Sequence, residues 1–247
     1  MTQPVSRRTL FKVAGAAGAS AALPLPTQAQ APSHSGQPHA ASAAPAARAG
    51  RDPYTFFNAA EAAFVEAAVE RLIPADDRWP GARDAGVPTY IDRQLAGAYG
   101  AGARLYLVGP WKEGTPRQGY QLPFTPAQLY RTAIGDIAAY TSDHLNGASF
   151  ESLSADQQDT ILHQIETGAV DLPHVPGPVF FETLLSNTIE GFFAGPAYGG
   201  NRNMAGWRMI GFPGAYASFV NEVDRHGMSF DREPIGMLAV VAEHMHK

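Results

Sequence analysis

A chain that performs chemistry by itself needs titratable or nucleophilic side chains at spacings that bring them together. Of the eight histidines, no two stand four residues apart on a helix, and the close pair His244 and His246 belongs to the last residues, where exposed tail histidines are expected. His144, His163, His174 and His226 stand singly at helix ends or in loops, positions that suit capping better than catalysis. Asp76 and Asp77 beside Trp79, with Asp84 near, have the residue types for acid/base work or calcium but not the ordered oxygen spacing of a calcium loop, and read as solvated loop acids. Ser186 falls inside an apolar helical pattern and lacks a Gly-x-Ser-x-Gly frame. With no cysteine at all, disulfides, thiolate nucleophiles, iron–sulfur ligation and thioether haem attachment are excluded. No catalytic residue, cofactor site or metal site is therefore expected in this chain.

The informative stretch runs from Gly191 to Gly214. Within it Tyr198-Gly199-Gly200-Asn201-Arg202-Asn203 is a backbone able to turn sharply, carrying two Asn side chains and one Arg. A phosphate cradle is disfavoured, because no strand precedes it, no lysine accompanies it and no helix opens in the Gly-x-Gly-x-x-Gly frame. Two uses remain open: a loop packed by its own Trp207, Phe212 and Tyr216, or an Arg- and aromatic-bearing protein interface. The candidate interface residues are Tyr198, Gly199, Gly200, Asn201, Arg202, Asn203, Trp207 and Phe212.

The elements that must position this loop read as helices. Asn58 with Glu61, Thr125 with Gln128 and Ser154 with Gln157 each form a capping-box signature. The first predicts a helix whose apolar stripe is Phe57, Phe64, Val65, Ala68 and Leu72, stopped by Pro74; the second a helix to about His144; the third a helix ending at Thr167-Gly168. Pro88 and Gly97 bracket a shorter helix with Tyr90, Ile91 and Leu95 inward. Phe180, Phe181, Leu184, Leu185, Thr188, Ile189, Phe192 and Phe193 recur as pairs four apart, the pattern of a core helix. A last helix is predicted from about Pro234 to His244. No alternating strand of useful length is present, so an all-α, irregular, loop-rich domain of about six helices is expected over residues 53–247.

The N-terminal residues read differently. Arg7-Arg8 precedes a weakly hydrophobic Ala/Gly run from Val13 to Leu25, and Ala29-Gln30-Ala31 supplies a small-x-small cleavage pattern, so residues 1–31 are expected to be a removable twin-arginine signal. Residues 32–52, rich in Ala, Pro, Ser and Gly, read as a tether with nothing to bury. Without Arg7, Arg8 and Lys12 the chain has 15 basic against 23 acidic groups, a net charge of −8, which argues against nucleic acid as a partner. Hydrophobic residues at 45% supply enough apolar surface for a core.

The chain resembles the small subunit, or subunit 3 (gamma), family of membrane-bound gluconate 2-dehydrogenases. The resemblance rests on Pro196-Ala197-Tyr198-Gly199-Gly200-Asn201-Arg202, Gly206-Trp207 and Ile210-Gly211-Phe212-Pro213-Gly214. Earlier segments agree: Glu70-Arg71-Leu72-Ile73-Pro74, Gly81-Ala82-Arg83-Asp84-Ala85-Gly86-Val87 and Tyr90-Ile91-Asp92. It implies a periplasmic complex at the inner membrane in which a large FAD-bearing dehydrogenase subunit and a multihaem cytochrome c, passing electrons to ubiquinone, carry the FAD and haem c. This chain would be a non-catalytic subunit needed for assembly and for export of the flavoprotein through the twin-arginine translocase. The competing expectation is an independent periplasmic enzyme or small-molecule-binding protein with a site near Asp76, Asp77, Arg202 and Trp207.

Overall fold

Three capping boxes start three of the helices. Asn58, Thr125 and Ser154 each accept the backbone amide three residues on, while Glu61, Gln128 and Gln157 reach back to the cap amide, each cap contributing about 1 kcal/mol. In this computed structural model the described residues are 53–112, 114–115, 120–214, 222, 224–228 and 232–237. The expected signal sequence with Arg7 and Arg8, the expected tether, Tyr216 and most of the predicted last helix lie outside them.

The boxes open α1 (Ala59–Leu72), α3 (Pro126–His144) and α4 (Ala155–Thr167). Helix α2 (Val87–Ala96) starts after the left-handed Gly86 with Pro88 in its first turn, as fits a residue whose missing N–H needs no partner there. Gly168, left-handed at φ 72°, closes α4. Helix α5 (Gly177–Phe193) buries Phe180, Leu184, Thr188 and Phe192 along one face, with Phe181, Leu185, Ile189 and Phe193 half-buried at its flanks. It is the central element, packing against α1, α2, α3, α4 and the short α6 (Ala205–Ile210). The expectation of an all-α fold holds: among the described residues there are six α-helices and no strand.

The core is aromatic where α1, α3 and α5 meet. The Tyr130 ring stands edge-on to Phe180 at 5.5 Å, and Phe64 lies 4.9 Å from Phe150 and 6.3 Å from Phe180, pair geometries that add about 0.5–1.5 kcal/mol beyond area burial. On α1 the buried stripe runs through Phe64, Val65, Ala68 and Val69 to Ile73, while the expected Leu72 is half-buried. Ahead of α1, residues 55–57 are tied to α2. The buried Asp92 carboxylate accepts from the Thr55 amide and hydroxyl, both at 2.8 Å, and from the Phe56 and Phe57 amides, both at 2.9 Å.

Two expectations need correction. The Gly191–Gly214 stretch is not loop throughout: it contains 3-10 turns at Pro196–Tyr198 and Arg202–Met204 and then α6. The last helix, expected from about Pro234, has its first described helical residue at Met237, because Ile235 forms an isolated parallel bridge to Gly214 and donates its amide to the Pro213 carbonyl at 3.1 Å.

Candidate functional site

The turn between α5 and α6 is built on glycines and an asparagine for steric reasons. Gly199 has φ +100°, and a Cβ there would stand 3.0 Å from the Arg93 guanidinium and 3.2 Å from the Thr89 methyl. Gly200 is limited by space: a Cβ would run into the Gly191 carbonyl oxygen. Gly206 likewise lets α6 lie against the Phe192 carbonyl, and Gly191 lets the Tyr90 ring lie on α5. Chain direction then reverses through Asn201, Asn203 and Met204, with φ of 47°, 55° and 54°, a region that asparagine tolerates far better than methionine does.

Asn201 holds the reversal together. Fully buried, it donates from Nδ2 to the Ala194 carbonyl at 2.9 Å and accepts at Oδ1 from the Gly206 amide at 2.8 Å. One side chain thus joins the end of α5 to the first turn of α6. Trp207, buried on the same side, donates its indole N–H to the Phe193 carbonyl at 2.7 Å and meets the Phe212 ring edge-on at 5.1 Å. The Arg202 amide donates to the Ala85 carbonyl at 2.8 Å, and its guanidinium reaches the Thr89 hydroxyl at 3.4 Å. A Cβ on Gly86, itself at φ +86°, would come within 2.7 Å of the Gly199 carbonyl oxygen. Residues 81–92 and 196–214, far apart in sequence, therefore form one interlocked knot around the start of α2.

The eight candidate interface residues divide by burial. Gly200, Asn201 and Trp207 are buried in the knot, Gly199 and Arg202 are half-buried, and Tyr198, Asn203 and Phe212 are exposed, Tyr198 at 61%. The outward edge consequently consists of Tyr198, Arg202, Asn203 and Phe212. Asp76, named in the competing enzyme reading, accepts at Oδ1 from the amides of Arg78 and Trp79 at 2.9 and 2.8 Å, and so shapes its own turn. The two arms of that reading, Arg202 and Trp207, are held by Thr89 and Phe193 respectively. Among the described residues no three His, Cys, Asp or Glu side chains are grouped to hold a metal ion.

Beside the knot lies a polar seam that sequence reasoning passed over. The Tyr90 hydroxyl donates to Glu190 at 3.4 Å, the Tyr99 hydroxyl to Asn187 Oδ1 at 3.3 Å, and Asn187 Nδ2 to the Tyr130 hydroxyl at 3.0 Å. Burial, and then the neighbouring Glu190 charge, push the Tyr90 phenol up to about 12. Burial raises Tyr99 and, most strongly, Tyr130, with the Asn187 hydrogen bond opposing it in both. The signal was partly available: Ser186, Asn187 and Glu190 lie on one side of α5, three and four residues apart, among its six polar positions.

The described body is a small all-α scaffold with an interlocked, hydrogen-bonded turn between α5 and α6. A sequence model of the family Gluconate 2-dehydrogenase subunit 3 matches residues 59–214, more than half of the 247 residues, and the chain belongs to that family. The match starts at the first residue of α1 and ends at Gly214, the last residue of the knot. No curated protein and no solved structure matches the chain. Membership makes this chain one subunit of a multisubunit gluconate 2-dehydrogenase.

Proposed function

We propose that this chain is the non-catalytic small subunit of a periplasmic, FAD-dependent gluconate 2-dehydrogenase-type complex, and that it assists assembly and twin-arginine export of the flavoprotein subunit. The partners are the large FAD-bearing dehydrogenase, a multihaem cytochrome c that passes electrons to ubiquinone, and the twin-arginine translocase. The family match carries the reading. The geometry supports it: the polar groups of the turn that might have served chemistry, the Asn201 amide and the Trp207 indole, are engaged with the protein's own backbone. What the turn offers outward is the Tyr198, Arg202, Asn203 and Phe212 edge, aromatic and Arg-bearing as interface centres are. Arg7-Arg8 and Ala29-Gln30-Ala31 supply the export element.

Co-expression with the dehydrogenase subunits and a pull-down titration test the contact. Truncating Tyr198 and Arg202 to Ala leaves the Arg202 amide bond to Ala85 intact, so the melting temperature of the subunit should stay within about 2 °C of wild type. Affinity for the flavoprotein should fall at least about tenfold, as for central interface residues. Undiminished affinity in that variant removes the contact surface from the proposal, and substrate oxidation by the purified chain alone removes the non-catalytic role.

A further inference from the structure

Residues 105–108 alternate half-buried and exposed apolar side chains along an irregular segment at the surface. Leu105 and Leu107 are half-buried, and Leu107 packs at Gly102, where a Cβ would come within 2.9 Å of its methyl. The alternate positions point the other way: Tyr106 is 81% and Val108 65% exposed, followed by Trp111 at 37%. From Leu105 to Val108 successive side chains thus turn alternately to the body and to solvent, and the Trp111 indole lies back over Gly109 beside the exposed ones. Here the outer face is Tyr, Val and Trp.

The charge around this face is also unlike the rest of the chain. Exposed Arg104 and Lys112 bracket the segment, and neither is in an ion pair with another described residue. From Arg104 to Lys112 the sequence has two basic residues and no acidic one, a local charge of +2 in a chain whose formal charge is −5. Aromatic and aliphatic tips flanked by long cationic side chains match a lipid headgroup boundary, where Trp and Tyr rings sit at the carbonyl level and Lys and Arg stems let their charges stay among phosphates.

We propose that the Arg104–Lys112 segment docks on an anionic lipid bilayer, with Tyr106, Val108 and Trp111 entering the headgroup boundary and Arg104 and Lys112 meeting lipid phosphates. Among the described residues no helix is long and apolar enough to cross a membrane, so this contact is interfacial. It does not depend on which dehydrogenase the chain serves.

Co-sedimentation of the full chain with phosphatidylglycerol/phosphatidylcholine vesicles, against phosphatidylcholine alone, tests it. Three forms are compared: wild type, the triple variant Tyr106→Ser, Val108→Ser, Trp111→Ser, and the double variant Arg104→Ala, Lys112→Ala. The N-terminal residues are common to all three, so differences report on the segment. The double variant should bind anionic vesicles about 25-fold more weakly, from about fivefold per basic residue, and the triple variant about tenfold or more. Brominated lipid should quench wild-type tryptophan fluorescence and quench Trp111→Phe far less. Wild-type binding by both variants, or binding indifferent to lipid charge, overturns the proposal. Variants that keep vesicle binding but lose a dehydrogenase subunit in pull-downs overturn it in favour of a protein contact.

Discussion

Asn201 offers the sharpest test of how the turn is held, because its two side-chain atoms have opposite duties. Replacement by Ala removes the acceptor for the buried Gly206 amide and the donor for the Ala194 carbonyl. A buried group left unpartnered costs about 1–3 kcal/mol, and placing Ala at φ 47° costs a further ~1 kcal/mol. A loss of about 3 kcal/mol lowers the melting temperature of a body this size by roughly 6–12 °C. Asn201→Asp separates the two duties. Its Oδ1 still accepts from Gly206, helped by the positive end of α6, but its second oxygen replaces Nδ2 at 2.9 Å from the Ala194 carbonyl oxygen. Ionised, that carboxylate is both buried and opposed, so folding favours its protonated form, which can donate to Ala194. The introduced carboxyl thus has a folded pKa above its unfolded value of about 3.9. Its deficit against wild type is small below pH ~4 and grows as pH rises through the folded pKa. Thermal melts of wild type, Asn201→Ala and Asn201→Asp from pH 4 to 8 measure this. Equal melting temperatures for Asp and wild type at pH 8, or a deficit that does not shrink on acidification, would refute the assigned bonding.

Gly200→Ala should destabilise by about 2 kcal/mol or more, since its Cβ meets the backbone carbonyl of Gly191, whereas Gly211→Ala, at φ 70° with open space around it, should cost about 1 kcal/mol; chemical denaturation ranks them. In alkaline titration followed by tyrosinate absorbance, Tyr90 should ionise near 12 where its unfolded counterpart ionises near 10. Its contribution to stability is therefore full below pH ~10 and is lost as pH rises towards 12, and Tyr90→Phe should flatten that part of the stability curve. Replacing Arg7 and Arg8 together by Lys should leave the dehydrogenase activity in the cytoplasmic fraction; periplasmic activity at the wild-type level would show that the flavoprotein does not depend on this leader.

Local rules made most of the helices legible. A capping box uses residues three apart, and an apolar stripe repeats every three or four, so α1, α3, α4 and α5 announce themselves within one window. Helix α6 escaped because its first turn is satisfied from outside, by the side chain of Asn201 five residues before Gly206, and six residues are too few to show a period. The glycines of the turn were recognisable as special, but the reason differs by position: positive φ at Gly199, space at Gly200 and Gly206. Only tertiary neighbours distinguish the two. The same limit applied to Asp92, which in sequence is one acid among many and in the fold is a buried acceptor of four hydrogen bonds, and to Trp207, whose indole could have faced a partner and instead faces Phe193.

Asp92 also has a mechanical consequence. A pull on the chain upstream of Pro53 reaches α1 only after it has passed Thr55, Phe56 and Phe57, whose amides are all gripped by one carboxylate on another helix. Tension must break the bonds from Thr55, Phe56 and Phe57 to Asp92 before it reaches α1, so the joint acts as a strain relief that passes load sideways into α2 and spares the first turn of α1.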